Sequence, residues 1–327
     1  MLRFVARRLL QMIPLLMGIT FLSFAVVDLA PGDFFSALRL NPSISPDLIR
    51  EMEVEFGYGE PLLVRYGRWL WRVAHLDLGM SIAYRVAVLD LIAARALNTL
   101  ILAVASMAFT WALAIPIGIV VALRRGSTTD RALSFLAFLG MSVPSFFLAF
   151  LLMYLALETG WFPVGGTASL DYALLGPLDK LADRAAHLAL PVIVLGTAGM
   201  ASLMRLMRSN VLEIMSADYV RTARAKGLPE WQVVGKHILR NALNPFITLA
   251  GYELGTLLGG AALVEAVMNL QGLGTLMLDA VRSLDLYLVM GSVLMGSVLL
   301  LLGNLLADVA LTLVDPRIDF TRLEAAR

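Results

Sequence analysis

The segment Ala217-Asp218-Tyr219-Val220-Arg221-Thr222-Ala223-Arg224-Ala225-Lys226-Gly227-Leu228-Pro229-Glu230-Trp231 combines charged, aromatic and small residues with helix punctuation. Gly227 suits the left-handed conformation that closes a helix. Pro229 and Glu230 suit the first turn of a new one. The spacing predicts a helix ending at Gly227 and a second helix through Val233, Val234, His237 and Ile238 toward Asn241 and Pro245. Ala223 and Ala225 are small enough to let another protein approach the first helix, with Arg221, Arg224 and Lys226 supplying charge around it. Such a bracket is suited to docking rather than catalysis. An ordinary basic loop accounts for the charge alone. A soluble partner seated on the bracket accounts for the Ala and Gly punctuation as well.

Other chemistry-bearing residues sit inside apolar runs, where an ionisable side chain is a functional candidate by default. Glu253 lies between Gly251 and Gly255 and is expected to face a pore, meeting a substrate amine or polar group. Asp28, Glu265 and Asp308 lie nearer the ends of their runs, where hydration is cheaper and structural roles are expected. Gly251, Gly255 and Gly259 recur every four residues, a spacing that lets helix backbones approach closely. Packing within one subunit and a sliding contact near a pore both fit that stripe. Ser142 beside Gly140 and the distant His187 raise an intramembrane serine protease, but that chemistry needs both groups at one depth. Ser142 is expected deep and His187 near a surface. The chain has no phosphate loop of the Gly-x-x-x-x-Gly-Lys-[Ser/Thr] type and no His-Glu-x-x-His. His75, His187 and His237 are far apart in sequence, and cysteine is absent, so no local metal pair, disulfide or thiol nucleophile is expected.

The elements that position these residues follow from composition. Of 327 residues, 59% are hydrophobic and 16% charged. Mean hydropathy is +0.80. These values exclude a disordered chain and argue against a soluble enzyme. The net charge of +1 gives no reason to expect nucleic acid. A membrane-crossing helix needs about 20 apolar residues. Six stretches qualify: Leu9 to Leu29, Leu97 to Leu123, Ala132 to Leu157, Leu188 to Met204, Phe246 to Met268, and Leu288 to Ala307. The fourth is the shortest and contains Pro191, Gly196 and Gly199. Pro14, Pro116, Pro144 and Pro191 are expected mostly as static kinks. The first run is too long for a secretory signal and reads as a retained anchor.

With the N-terminus inside, the inner segments hold 16 of the 26 Lys and Arg residues but 7 of the 25 acidic ones. Both termini are therefore expected to be cytoplasmic. Residues 1–95 hold the first span and a long outer segment. Residues 96–312 hold a core of five spans with a cytoplasmic loop at 205–245, and 313–327 form a short cytoplasmic tail. In the outer segment, Ser45-Pro46 is a helix start and Gly57 a stop. A second helix from Pro61 places Leu62, Tyr66, Trp69, Leu70 and Val73 on one face and Arg65, Arg68 and Arg72 on the other. That helix reads either as a lid on the spans or as a docking surface for an external partner.

The 218–227 segment resembles the cytoplasmic coupling motif of ABC-importer permeases of the dipeptide/oligopeptide type. That motif has a Glu-Ala-Ala core with a Gly four residues after the last Ala, and Arg221, Thr222, Ala223 and Gly227 stand at those positions. Ala30-Pro31-Gly32-Asp33, Leu76-Asp77-Leu78-Gly79-Met80-Ser81, Asn98-Thr99-Leu100 and Trp161-Phe162-Pro163-Val164-Gly165-Gly166 extend the resemblance. So do His187-Leu188-Ala189-Leu190-Pro191, Glu265 through Gly272-Leu273-Gly274, Asn304-Leu305-Leu306-Ala307-Asp308 and Asp315-Pro316-Arg317. Gln271 departs from it, standing where the family usually has Pro.

The resemblance implies an all-α integral membrane protein with the type I importer permease fold, six transmembrane helices and no catalytic residue. Its implied partners are membrane lipid, a second homologous permease, two ATP-binding subunits and an extracytoplasmic binding protein. ATP and Mg would be held by the ATPase subunits and no cofactor by this chain. Asp218, Tyr219, Arg221, Ala223, Lys226, Gly227 and Leu228 would form the ATPase-coupling site. The implied location is a bacterial or archaeal plasma membrane, the inner membrane in a Gram-negative cell. Peptides are the implied cargo, with nickel, glutathione and oligosaccharides open as alternatives. A secondary transporter, the remaining rival, would leave the bracket unexplained.

Overall fold

The structure, a computed structural model, describes residues 2–29, 32, 34–39, 44–55 and 57–314. In chain order, α1 is Leu2–Leu29, α2 Phe34–Arg39, α3 Pro46–Glu55, α4 Leu62–Ala74, α5 Val88–Leu123, α6 Thr128–Ser142 and α7 Ser145–Thr159. A 3-10 turn at Tyr172–Leu174 follows, then α8 Pro177–Met215, α9 Asp218–Ala225 and α10 Glu230–Gln232. A π-helical segment at Val233–Leu239 leads into α11 Arg240–Ala242, α12 Asn244–Val267, α13 Leu273–Arg282 and α14 Leu286–Val314. Among the described residues the one extended pairing is an isolated bridge between Met80 and Ala87. Ala30, Pro31 and Asp33 of the 30–33 motif, and the tail from 315 with Asp315-Pro316-Arg317, lie outside the described residues.

Among the described residues, α1, α5, α8 and α14 are each long and apolar enough to cross a membrane. The expected continuous span from Ala132 to Leu157 is corrected: it consists of α6 and α7, bent by 99° relative to each other. Val143 is extended at φ −88° and ψ 123°, and Pro144 follows at φ −56° and ψ 135°. A proline ring disfavours the helical conformation of the residue before it, so the helix stops rather than bends. Counted as one bent pair, α6 and α7 make a fifth candidate span. The fourth expected span lies within α8, whose 39 residues far exceed what a bilayer requires. The fifth expected span falls on α12, 24 residues long, which is not among these candidate spans.

The chain folds into two compact units. One comprises Met1–Thr99 and Gln271–Leu301. Here α4 packs its apolar face on α1 and the start of α14. Trp69 is 1% exposed and clusters with Phe24, Leu286 and Met290. The Tyr66 hydroxyl donates to the Met17 carbonyl at 2.8 Å and lies 3.0 Å from Thr20 Oγ1. The helix is therefore a packed lid along this face, while Trp71 on its other side is 69% exposed. Arg65 differs from the simple two-faced expectation. It pairs with Asp28 at 2.6 Å and lies over the rings of Phe24 and Tyr58.

The same unit holds a buried carboxylate. Asp285 accepts from Ser81 Oγ at 2.6 Å, the Ala83 amide at 3.0 Å and the Leu288 amide at 3.2 Å. It thus caps α14 and fixes the turn after Gly79. Gly79 itself sits at φ +92°, and an added Cβ would lie 3.2 Å from the Tyr287 ring. Around Gln271, the Asn98 side chain donates to the Gln271 carbonyl at 2.8 Å, and the Leu273 amide donates to Thr99 Oγ1 at 2.7 Å. Two side chains therefore tie a turn that lacks the expected proline.

The other unit comprises Leu100–Leu270 and Leu302–Arg327. Its helices approach at glycines. A Cβ on Gly118 of α5 would fall 2.6 Å from Met207 Cβ, and one on Gly196 of α8 would fall 2.5 Å from the Phe109 ring. Between these points the Thr110 hydroxyl, which lies 2.9 Å from the Gly196 carbonyl, links α5 to α8. One core joins Met204, Met207 and Val211 of α8 to Val220, Val233 and Ile238 of the segment that follows. That shared core gives the bracket a fixed seat on the end of α8.

Candidate functional site

The bracket is built by local rules. Helix α8 ends at Met215, Ala217 precedes the first turn of α9, and Asp218 places its carboxylate in that turn. A negative charge there is favoured by the exposed amides and the helix dipole. Val220 and Ala223, three residues apart, face inward and are buried. At the other end, the Gly227 amide donates to the Arg224 carbonyl at 2.9 Å, and the Leu228 amide donates to the Ala223 carbonyl at 3.4 Å. Gly227 has φ +77°. These paired bonds form a Schellman closure, which requires a left-handed residue where Gly227 stands.

Side chains then lock the two halves together. Arg224 donates twice to Glu230, from Nε at 3.1 Å and from the terminal nitrogen at 2.6 Å. The Arg224 guanidinium, hydrogen-bonded to Glu230, holds that carboxyl below its ordinary value. Asn241 Nδ2 donates to the Tyr219 hydroxyl at 2.9 Å, and Asn210 Nδ2 donates to the Ala242 carbonyl at 3.1 Å. The expected second helix is present, but as a three-residue α-turn, a π segment and another short turn. Val233 and Ile238 point into the core.

The seven residues expected to couple fall into two groups. Asp218, Tyr219, Arg221, Lys226 and Gly227 are exposed, with Tyr219 at 45%. Ala223 is 4% exposed and packs on the chain's own core, while Leu228 is half-buried against it. The small Ala223 side chain therefore sets how closely α9 lies on its own core, and Ala225 is the small residue left exposed. Trp231, 73% exposed, adds an aromatic ring to this surface. The result is a rigid, mixed-charge, partly aromatic face suited to a protein partner.

Glu253 sits mid-way along α12. Its Oε2 accepts from Trp111 Nε1 on α5 at 2.6 Å. It lines a cavity of about 220 Å³ with Thr110, Ser145, Leu195, Ala198, Gly199 and Leu257. Of the three glycines expected to pack, Gly251 is in tight contact. An added Cβ would lie 2.7 Å from Ala307 Cβ and 2.8 Å from the Gly303 carbonyl oxygen of α14. Gly255 is buried, and for Gly259 only the backbone is described.

The remaining candidates find local partners. The Ser142 hydroxyl donates to the Phe138 carbonyl at 2.8 Å, and His187 Nδ1 lies 2.8 Å from the Asp183 carbonyl. No nucleophile–base pair joins Ser142 to His187. Among the described residues no group of three or more His, Cys, Asp or Glu could hold a metal. Two residues escaped the sequence reading. Trp111 reaches Glu253 across 142 positions, and Asp285 reaches Ser81 across 204. No motif signals either pair, since each depends on helix packing.

Residues 114–320 match the family described as binding-protein-dependent transport system inner membrane component. The oligopeptide transport system permease protein AppB of Bacillus subtilis (strain 168) is 39% identical over 319 residues, covering 97% of this chain and 99% of that protein. The dipeptide transport system permease protein DppB of Escherichia coli (strain K12) is 38% identical over 335 residues, covering 97% and 99%. A chain from the MetNI methionine ABC transporter in an inward-facing conformation superposes with a TM-score of 0.53 at 20% identity, covering 69% of this chain and 96% of that one. That likeness concerns the fold. The chain belongs to the family of inner-membrane components of binding-protein-dependent transport systems.

Proposed function

We propose that this chain is the permease subunit of an ATP-driven, binding-protein-dependent importer of di- and oligopeptides. It crosses the membrane six times, with α6 and α7 together as the third span, α12 as the fifth and both termini in the cytoplasm. It forms half of the pore beside a second, homologous permease. Two ATPase subunits, which hold ATP and Mg, dock on the cytoplasmic coupling helices of the permease pair, of which the α9 bracket is this chain's, and an extracytoplasmic binding protein delivers cargo. ATP binding drives the cycle only if the ATPase pair prefers one pore state, because a partner shifts an equilibrium by its differential affinity.

The observation that carries this reading is the bracket itself. Its inner face shares a core with α8, and its outer face presents Asp218, Tyr219, Arg221 and Trp231. A displacement of that face therefore moves α8 as a body instead of being absorbed in a loose loop. The near-full-length similarity to peptide permeases supports peptide cargo.

The test is uptake of labelled di- and oligopeptides in the host, with the gene deleted, restored, or restored as Gly227→Pro. Nickel, glutathione and oligosaccharides serve as competitors. Uptake should be lost on deletion, return with the native gene, and stay low with Gly227→Pro at equal membrane abundance. Peptide uptake unchanged by deletion would count against peptide cargo. Normal transport by Gly227→Pro would count against the bracket as the coupling element.

A further inference from the structure

Three apolar runs end at one basic cluster. Between Arg95 and Arg124 the chain carries no charged residue, and Arg124 and Arg125 directly follow the last residue of α5. The run 132–157 is likewise free of charge and begins immediately after Arg131 of α6. The run 188–204 of α8 ends at Arg205, with Arg208 about one turn further on. Helices α5 and α8 are each long and apolar enough to cross a membrane. These arginines therefore mark one boundary of the apolar layer.

Packing of α6 on α8 brings the three ends together, all within one compact unit. Asp130 accepts from the Gly126 amide at 2.9 Å and from Arg208 at 3.1 Å, and Arg131 donates to the Gly126 carbonyl at 3.3 Å. The Arg205 guanidinium lies over the Phe138 ring of α6, 5.1 Å from its centre. Five arginines thus gather around one carboxylate, and Arg208 is the one that pairs with it. Among the described residues, Arg124, Arg125, Arg131 and Arg205 form no ion pair with a carboxylate. The ordinary bias of basic residues toward one side of a membrane accounts for their number. It does not require three separate chain segments to bring them to one place.

An apolar stripe leads away from the cluster. Arg131, Ala132, Phe135, Leu136 and Leu139 are all exposed and fall on one side of α6. The stripe is cationic at its start and apolar beyond it. A ligand that matches it is divided the same way, with an anion at one end and a hydrocarbon chain at the other. Arginine forks suit phosphate oxygens, and basic pockets between spans suit anionic lipid headgroups. The first turn of α6 is already capped by Ser127 and Asp130, so the guanidinium groups are left to hold the anion. We infer that the 124–131 turn, Arg205 and the exposed side of α6 form a binding site for one anionic phospholipid. Its phosphate sits at Arg131 and Arg205, and an acyl chain runs along Phe135 and Leu139. The site depends on no assignment of cargo.

The experiment titrates the purified full-length chain in detergent with palmitoyl-oleoyl phosphatidylglycerol and counts bound lipid by native mass spectrometry. The phosphatidylcholine with the same chains is the neutral comparison. Phosphatidylglycerol should bind about 30-fold more tightly, the factor that two basic side chains supply toward anionic lipid. Arg131→Gln combined with Arg205→Gln should abolish that preference. Both side chains are exposed and the Arg208–Asp130 pair is untouched, so the fold should persist. Lys236→Gln combined with Arg240→Gln removes the same charge from exposed positions outside the cluster and should leave the preference intact. Excess inorganic phosphate should not displace the lipid, because it lacks the chain. In the unsubstituted protein, a phosphatidylglycerol with a diazirine near the top of one acyl chain should label α6 between Ala132 and Leu139.

Loss of the preference in the Arg131 and Arg205 variant alone, together with labelling of α6, upholds the site. Equal affinity for the two lipids, or an unchanged preference in that variant, overturns it. An equal loss in the Lys236 and Arg240 variant also overturns it and leaves only the general positive charge of this side. Displacement by inorganic phosphate reduces the cluster to a free-phosphate site and overturns the lipid assignment. Labelling confined to other helices overturns the placement on α6. Native phosphatidylglycerol binding by the Arg131 and Arg205 variant, with loss of ATPase subunits from the assembled complex, would assign the cluster to a protein partner instead.

Discussion

Replacing Gly227 by alanine isolates a single physical quantity. The residue sits at φ +77°, and an added Cβ would meet nothing within 4 Å. No packing clash is created, so the cost is that of holding an L-residue in the left-handed region, about 1–2 kcal/mol. That cost falls on a closure whose two bonds run from Gly227 to Arg224 and from Leu228 to Ala223. The bracket's opening equilibrium should rise about 5- to 30-fold, the factor that corresponds to 1–2 kcal/mol. Hydrogen exchange at the Leu228 amide in the purified protein should speed up by that factor. Gly235→Ala provides the opposing control. Gly235 also has open space around it but lies in helical backbone. Alanine there should slow exchange, since it removes about 0.5–1 kcal/mol of glycine's helix penalty. Equal exchange in native protein and Gly227→Ala would refute the left-handed closure and the argument for a rigid bracket.

Other substitutions probe the buried carboxylate, the α12–α14 contact and the Arg224–Glu230 pair. Asp285→Ala removes the acceptor of three donors; with about 1–3 kcal/mol for each buried donor left unmet, it should lower the thermal midpoint sharply and expose the 81–87 turn to protease. Gly251→Ala forces contacts of 2.7–2.9 Å against α14, whereas Gly296→Ala meets nothing within 4 Å. The first should destabilise by about 1–3 kcal/mol, and the second should raise the thermal midpoint slightly, because alanine removes glycine's helix penalty of about 0.5–1 kcal/mol. The Glu230 carboxyl is lowered in the folded state by Arg224, from a reference of 4.5. Its contribution is therefore present above that reference and lost as pH falls through the folded value. Both partners are substantially solvent-exposed, so solvent screening keeps the pair under about 1 kcal/mol. Glu230→Gln should loosen the bracket slightly at pH 7, and the difference from native protein should shrink as pH falls below the reference of 4.5.

Much of the fold was legible because local rules and tertiary packing agreed. Gly227 and Pro229 marked the bracket's turn, and Leu62, Tyr66, Trp69, Leu70 and Val73 marked the buried face of α4. Hydropathy located the long helices but could not see the break at Val143-Pro144, because both halves are apolar and the run reads as continuous. The extended conformation of Val143 is imposed by the ring that follows it. The site was legible in type but not in partnership. Glu253 stood out as an acid in an apolar run, whereas Trp111 lies on another helix with no fixed spacing to it. Ala223 stands out in the sequence for its size, but which side it faces depends on how α9 lies on the core.

In the proposed cycle, ATP hydrolysed by partner subunits drives cargo through a pore that this chain half forms. The most direct measurement is accumulation of a labelled dipeptide in liposomes that contain the two permeases and the ATPase pair. Binding protein is placed on one side and ATP on the other, and a proton gradient without ATP is run in parallel. Accumulation is expected only with both ATP and binding protein present. Accumulation driven by the proton gradient alone would contradict that cycle.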